Sequence, residues 1–510
     1  MKLIAFLLTA SIFMSFNSTN IEPYPKLKKT ARLYVSHYEN VLGTSLELKI
    51  SASSENDASN AETAVLNEIS RMSKILSAYD PNSEFSHWFK TLNEPIHVSK
   101  ELFEVLNLFD QWRMRTHGAL DASAEVIGKL WKRASVQQRI PTQQELDSVV
   151  GKVKQAHWKL DATAQAATHL DNVPLILNSF VKSYIIKRAA LAAMATKNVN
   201  TAVVNIGGDM VISGNLTETV SVSDPKADAE NDAPIDRLMV SNKAVATSGN
   251  YRRGELINGH WYSHIVDPRT GLPADNILSA TVVASNATDA GALATAFNVM
   301  SPSESIKLAA TFPDVEYFII TKNGERIESK GWKSLELPAP KQLSANTIKK
   351  NNESKIASDF ELIVNLEIKL QNEQFTKRPY VAVWIEDQNH APVRTVALWH
   401  ERDRYLPELR AWYLKYRGAY NSDKTFLGSV SSATRSPGKY TVKWDGKDDK
   451  GNIVPPGTYT LKIEASREHG TYQLIRQDLN LNEQPQLINL TGNPEIASAS
   501  LDYRKKTGNN

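Results

Sequence analysis

A histidine, a carboxylate, a guanidinium and two hydroxyls crowd into Tyr262-Ser263-His264-Ile265-Val266-Asp267-Pro268-Arg269-Thr270-Gly271. Imidazole supplies a base near neutral pH, and guanidinium supplies a planar clamp for an anion. Pro268 and Gly271 mark a turn, and turns of this kind hold polar side chains at defined angles. Taken alone, the stretch reads as a polar turn between strands, with His264 a hydrogen-bonded structural residue. Three further segments carry groups suited to a ligand. His117-Gly118-Ala119-Leu120-Asp121 follows a helical pattern, and its glycine allows close backbone approach. Gly207-Gly208-Asp209 ends the apolar run Ala202–Ile206, a place where backbone can meet a ligand. Lys182 lies on an amphipathic helix. Each has a plainer reading: a tight turn, a cap at Asp121, a solvated lysine.

Composition narrows the chemistry. The 510 residues suggest about two to four domains. Hydrophobic residues make up 41% and charged residues 23%, an ordinary globular balance. A formal net charge of +3 argues against a dedicated nucleic-acid binder. The absence of cysteine excludes disulfides, thiolate nucleophiles and thiolate metal sites. Any metal must take oxygen or imidazole ligands. Residues 1–20 read as a signal peptide or N-terminal anchor: Lys2, then the mostly apolar Leu3–Phe16, too short for a comfortable span.

The elements that must position these residues follow from periodicity. Thr44–Ile50 alternates as a half-buried strand, and Ser51–Asn60 is a polar loop. Helices are expected at Ala61–Leu76, Lys100–Arg115, Ser179–Ala195 and Asp289–Met300. Strands are expected at Ala202–Ile206, Leu278–Ala284 and Glu316–Thr321. Gln137–Gln165 reads as a peripheral excursion. Residues 30–337 form one α/β (α+β) domain, and 338–358, rich in Pro, Lys, Asn and Ser, form a linker. Recurrent strands from Phe360 to Gln477 predict an all-β sandwich over 359–490, with 491–510 a flexible tail. Asp445, Asp448 and Asp449 lack a loop-closing glutamate and read as a solvated β-turn rather than a calcium site.

Order changes the odds. Leu42-Gly43-Thr44, Leu76-Ser77-Ala78-Tyr79-Asp80-Pro81, Gly118-Ala119-Leu120-Asp121, Val181-Lys182, Asn205-Ile206-Gly207-Gly208-Asp209, Ser248-Gly249-Asn250-Tyr251, Ser263–Gly271 and Ala292-Leu293-Ala294-Thr295-Ala296 run in series. The series resembles the ApbE family of FAD:protein FMN transferases over about Leu42–Ile327. The resemblance implies an exported α/β protein, periplasmic or facing the periplasm from an inner-membrane anchor. It implies FAD and a divalent cation, usually Mg2+, and transfer of FMN to a threonine of a partner electron-transfer flavoprotein, with release of AMP. By match to the family pattern, Leu42, Tyr79, Ala119, Leu120, Asp121, Lys182 and Ile265 line the FAD site. His264 is base or phosphate contact, with Asp267 and Arg269 completing the catalytic set by supporting its loop. Thr295, the carbonyl of Ser179, and Asp289 are the metal candidates. Such a set fits pyrophosphate cleavage, which needs a base for the hydroxyl and positive charge on phosphate oxygens.

The series also departs from the family. Where an aspartate usually stands four residues before the metal-binding threonine, this chain has Gly291. Ile176 replaces an aspartate six residues before the lysine, and Ser183 replaces the glycine after it. These changes support an alternative, an FAD carrier with little catalysis. The C-terminal region is similar to an uncharacterised periplasmic domain with Ig-like hairpins. A third alternative makes that sandwich a partner-docking module.

Overall fold

The computed structural model describes residues 31–337, 360–369 and 378–506, apart from 228, 233, 252, 401–402, 423–430, 433, 436, 468–469 and 483. The expected signal and linker lie outside the described residues. An eight-stranded antiparallel sheet organises the first domain. Its order is Arg32–Val41, Thr44–Ala52, Val199–Ile206, Asp209–Gly214, Ala244–Gly249, Ile277–Ala284, Glu316–Thr321 and Arg326–Glu328. Alternation explains the second strand: Leu46, Leu48, Ile50 and Ala52 are buried while their neighbours face out. Each large apolar side chain buried this way contributes about 1.5–3 kcal/mol.

Helices Glu55–Leu76, Lys100–Arg115, Val181–Met194 and Ala287–Val299 pack into the core on one sheet face. A smaller apolar layer, with Val220, Leu238 and Trp332, covers the other. The first helix starts earlier than periodicity implied. Ser54 caps it by accepting from the Asp57 backbone, so Glu55–Asn60 is helical, not loop. The Ala287–Val299 helix is buried nearly all round, and its small residues let it lie close to neighbours.

The Gln137–Gln165 segment is not peripheral. Thr142 and Glu145 form a capping box for helix Gln143–Val153. Its Leu146, Val149 and Val153 join Ile127, Leu130, Trp131 and Val266 in a separate apolar cluster beneath the His264 loop.

The second domain is a sandwich. A four-stranded sheet (Gly438–Trp444, Phe360–Ile368, Ile496–Lys505, Gln486–Leu490) and a five-stranded sheet (Ser431–Ser432, Pro392–Trp399, Tyr380–Glu386, Gly457–Ser466, Tyr472–Leu481) enclose one core. One helix, Arg410–Ser422, covers the outer face of the larger sheet, its first backbone amides bonded to Glu464. The expected flexible tail is a correction: Ile496–Lys505 is a strand paired along Phe360–Ile368. Asp448 accepts from the backbone of Lys450 and Asn452, and thus serves its own turn.

The two domains touch through the loop between strands Thr217–Val222 and Asp236–Ser241. Glu230 donates its backbone N–H to Thr441. The Asn231 side chain accepts from the backbone of Lys443 at 2.8 Å and donates to its carbonyl at 2.7 Å. Arg435–Glu230 and Lys443–Asp232 pairs flank this contact.

Candidate functional site

The His264 loop is built from several brackets. The Ser263 hydroxyl accepts from Ile265 N, Asp267 N bonds Leu272 O, and Ala274 N bonds Ile265 O. Trp131 Nε1 donates to Gly271 O at 2.8 Å. Gly271 has φ +77°, and a Cβ there would press on Val150 at 3.2 Å and Leu146 at 3.3 Å. Arg269 donates Nε to Asp267 Oδ1 at 2.9 Å, Nη2 to Asp267 Oδ2 at 2.8 Å and Nη1 to Glu304 Oε1 at 2.8 Å.

His264 sits on this frame with one nitrogen committed. Nδ1 lies 2.9 Å from the Arg253 carbonyl, which only accepts, so Nδ1 carries the proton. Nε2 is therefore the basic atom of the neutral ring. Burial lowers the pKa of His264 below 6.5, the Arg253 guanidinium adds to this, and the carbonyl bond opposes it. The ring is neutral at pH 7 and able to take a proton.

His264 and Ile265 face a cavity of about 750 Å³, within the usual range for small-molecule sites. Ala119, Leu120 and Asp121 form one wall, and Gly207-Gly208-Asp209 another. Gly207 has φ +58°, and a Cβ there would meet Thr44 Cγ2 at 2.7 Å, so only glycine fits. Lys182 reaches in from the Val181–Met194 helix, its Nζ 2.9 Å from Asp209 Oδ2. Asp209, itself buried, also accepts from Thr247 N. Asp121 accepts from the Ser123 amide and hydroxyl and faces Arg113 Nε at 3.0 Å. Arg253 lines the same cavity and makes no ion pair with any described residue. The site thus joins a neutral imidazole, an ammonium, a guanidinium and two glycine-opened backbone turns. It suits an anionic ligand and proton removal from a hydroxyl.

Not every expected residue converges. Leu42 caps a two-residue hairpin with φ +52° and packs on the core; it reaches the site only through Thr44, which backs Gly207. Tyr79 is 74% exposed and stands at the rim, its hydroxyl accepting from Asn178, which lines the cavity. Asp267 and Arg269 do not line it. Their charges satisfy each other and Glu304, so they hold the loop and are positioning residues.

The metal candidates are a partial correction. Thr295 Oγ1 donates to Ser179 O at 2.8 Å, so those two do meet at the cavity. Asp289 does not line it; the charges around it are Arg115, Lys187 and Asp314, and burial raises its pKa. Two residues short of the expected turn, it lies on another face of the helix. Among the described residues no group of three or more His, Asp or Glu is gathered as a metal site. Magnesium prefers near-octahedral oxygen coordination with one or two carboxylates. The carboxylates lining this cavity are Asp209, Asp121 and Glu125, and each faces a cation already: Lys182, Arg113 and Lys129. The residues present do not fit the ion. Arg253 and the Lys182–Asp209 pair went unread in the sequence: neither residue of the pair signals the other across the stretch of chain between them.

Residues 42–319 match the ApbE family, and residues 361–498 match the family described as "Predicted periplasmic protein (DUF2271)". The FAD:protein FMN transferase of Escherichia coli K12 is 25% identical over 342 residues, 64% of this chain and 94% of that one. The protein of that name from Haemophilus influenzae is 28% identical over 305 residues, 56% and 86% of the two chains. Among solved structures, the ApbE protein of Thermotoga maritima matches with TM-score 0.54 at 27% identity, covering 60% of this chain and all of that one. The flavin transferase ApbE of Vibrio cholerae shares the fold, with TM-score 0.50 at 20% identity over 60% and 99% of the chains.

Proposed function

The chain belongs to the ApbE family, and on that premise we propose that it transfers FMN from FAD to a threonine hydroxyl of a partner protein. FAD occupies the cavity with its pyrophosphate between Lys182 and Arg253 and a ring against the exposed Tyr79. Nε2 of His264 takes the proton of the acceptor threonine. The threonine Oγ attacks the phosphorus of the FMN half, forming a new P–O bond. The bond from that phosphorus to the bridging oxygen breaks, and AMP leaves with the electron pair. Asp267 and Arg269 keep the imidazole in place, and Lys182 and Arg253 carry the charge that develops on the phosphate oxygens. The acceptor is a redox flavoprotein. The chain works in the periplasm, which the match of its second domain supports; among the described residues no helix is long and apolar enough to cross a membrane.

The observation that carries this reading is convergence: segments spread from residue 119 to residue 299 line one cavity, His264 among them. Incubating the full chain with FAD, Mg2+ and a threonine-containing acceptor tests it. The expected result is AMP release with FMN bound to the threonine; neither product means no transferase. A second reading, FAD binding with little transfer, is favoured by Gly291, where Ser183 leaves no room for a side chain.

A further inference from the structure

Two of the departures noted in the sequence occupy one place. Ser183 lies on helix Val181–Met194 and Gly291 on helix Ala287–Val299, and these helices pack together. A Cβ built on Gly291 would lie 2.3 Å from Ser183 Oγ and 2.8 Å from Ser183 Cβ. A rotamer change could move the hydroxyl but not the Cβ, so the serine fills the space that any side chain at 291 would need. The Ser183 hydroxyl points to Asp209 Oδ2 at 3.4 Å, the oxygen that Lys182 Nζ approaches at 2.9 Å. Thr295 and Ser179 meanwhile bond each other at 2.8 Å.

We infer that the Ser183–Gly291 exchange has removed the divalent-cation site from this cavity, leaving Lys182, held by Asp209, to serve with Arg253 as the positive charge for a dinucleotide pyrophosphate. The inference rests on the FAD reading above and deepens it. A fixed ammonium on a buried carboxylate gives a point charge that needs no recruited ion. Gly291→Asp alone cannot rebuild the missing carboxylate, because Ser183 stands in its way. Restoration needs Ser183→Gly together with Gly291→Asp.

Isothermal titration of FAD into the full chain, in EDTA and then in excess Mg2+, tests this without reading activity. The wild-type Kd is expected to agree within about twofold between the two conditions. The double variant is expected to bind FAD about tenfold or more tightly in Mg2+ than in EDTA. Electron paramagnetic resonance with Mn2+ as probe should show bound metal in the double variant with FAD and none in the wild type. Gly291→Asp alone should lower the melting temperature and gain no Mg2+ dependence. Wild-type binding that tightens about tenfold in Mg2+ overturns the inference, as does a folded double variant indifferent to the ion. Absence of FAD binding in both conditions overturns the FAD reading itself, and the inference with it.

Discussion

Replacing Arg269 by alanine removes the bracket that holds the His264 loop without touching the cavity lining. The lost contacts are the two-pronged pair with Asp267 and the single bond to Glu304. The Asp267 side chain is 14% exposed and that of Arg269 26%, so the pair is partly shielded from water. Charge-assisted hydrogen bonds of this kind are worth about 1.5–3 kcal/mol. The Glu304 arm is more exposed and adds about 0.5 kcal/mol. Trp131 and the backbone bonds of the turn remain, so the loop shifts rather than melts. A displacement of about 1 Å at a reacting group costs about a hundredfold in rate. Arg269→Ala should therefore slow FMN transfer by about ten- to a hundredfold while FAD affinity changes less than about tenfold. Arg269→Lys, keeping a charge but not the fork, should fall between. The acid limb of stability offers a second readout. The bond from Arg269 is the chief cause that lowers Glu304 from 4.5 to about 2. A depressed carboxyl stabilises the fold above its unfolded pKa and loses that contribution as pH falls through its folded value. The wild type should thus exceed Arg269→Ala in stability above pH 4.5, with the gap closing towards pH 2. Single-turnover AMP release and thermal unfolding across pH are the assays. A variant with wild-type rate and wild-type stability would refute the bracket.

Other consequences can be checked on the same preparations. In the proposed mechanism His264 acts as its neutral form, and its pKa is lowered from 6.5, so the transfer rate should hold at pH 7 and fall only as pH drops through that lower value; a midpoint above 6.5 would contradict the assignment. His264→Ala should cut the rate by about 10²–10⁴ with little effect on FAD affinity, read by titration calorimetry. Lys182→Met should weaken FAD binding by about tenfold or more, and an unchanged Kd would place the pyrophosphate elsewhere. Asn231→Ala removes the side-chain bonds to Val396 and Lys443, and should separate the unfolding transitions of the two domains in calorimetry.

Periodicity made much of the frame legible. Lys100–Arg115 and Glu316–Thr321 have the bounds that their apolar spacing implies. What escaped was structure carried by polar residues. Glu55–Asn60 lacks large apolar residues and read as loop, although the Ser54–Asp57 cap starts a helix there. The final strand buries Ile496, Ala499, Leu501 and Tyr503, but its small polar residues gave weak β character. The site showed the same divide. Motif order brought out His264, Lys182 and the glycine turns. Arg253 belongs to no motif and enters through hairpin geometry. Ser183 and Gly291 read as two independent losses, because sequence distance hides that both occupy one volume.

The structure of the full chain with FAD bound tests the central claim most directly. The account predicts the pyrophosphate between Lys182 and Arg253, with the phosphorus of the FMN half facing Nε2 of His264. FAD seated outside this cavity, or with that phosphorus turned away from His264, would contradict it.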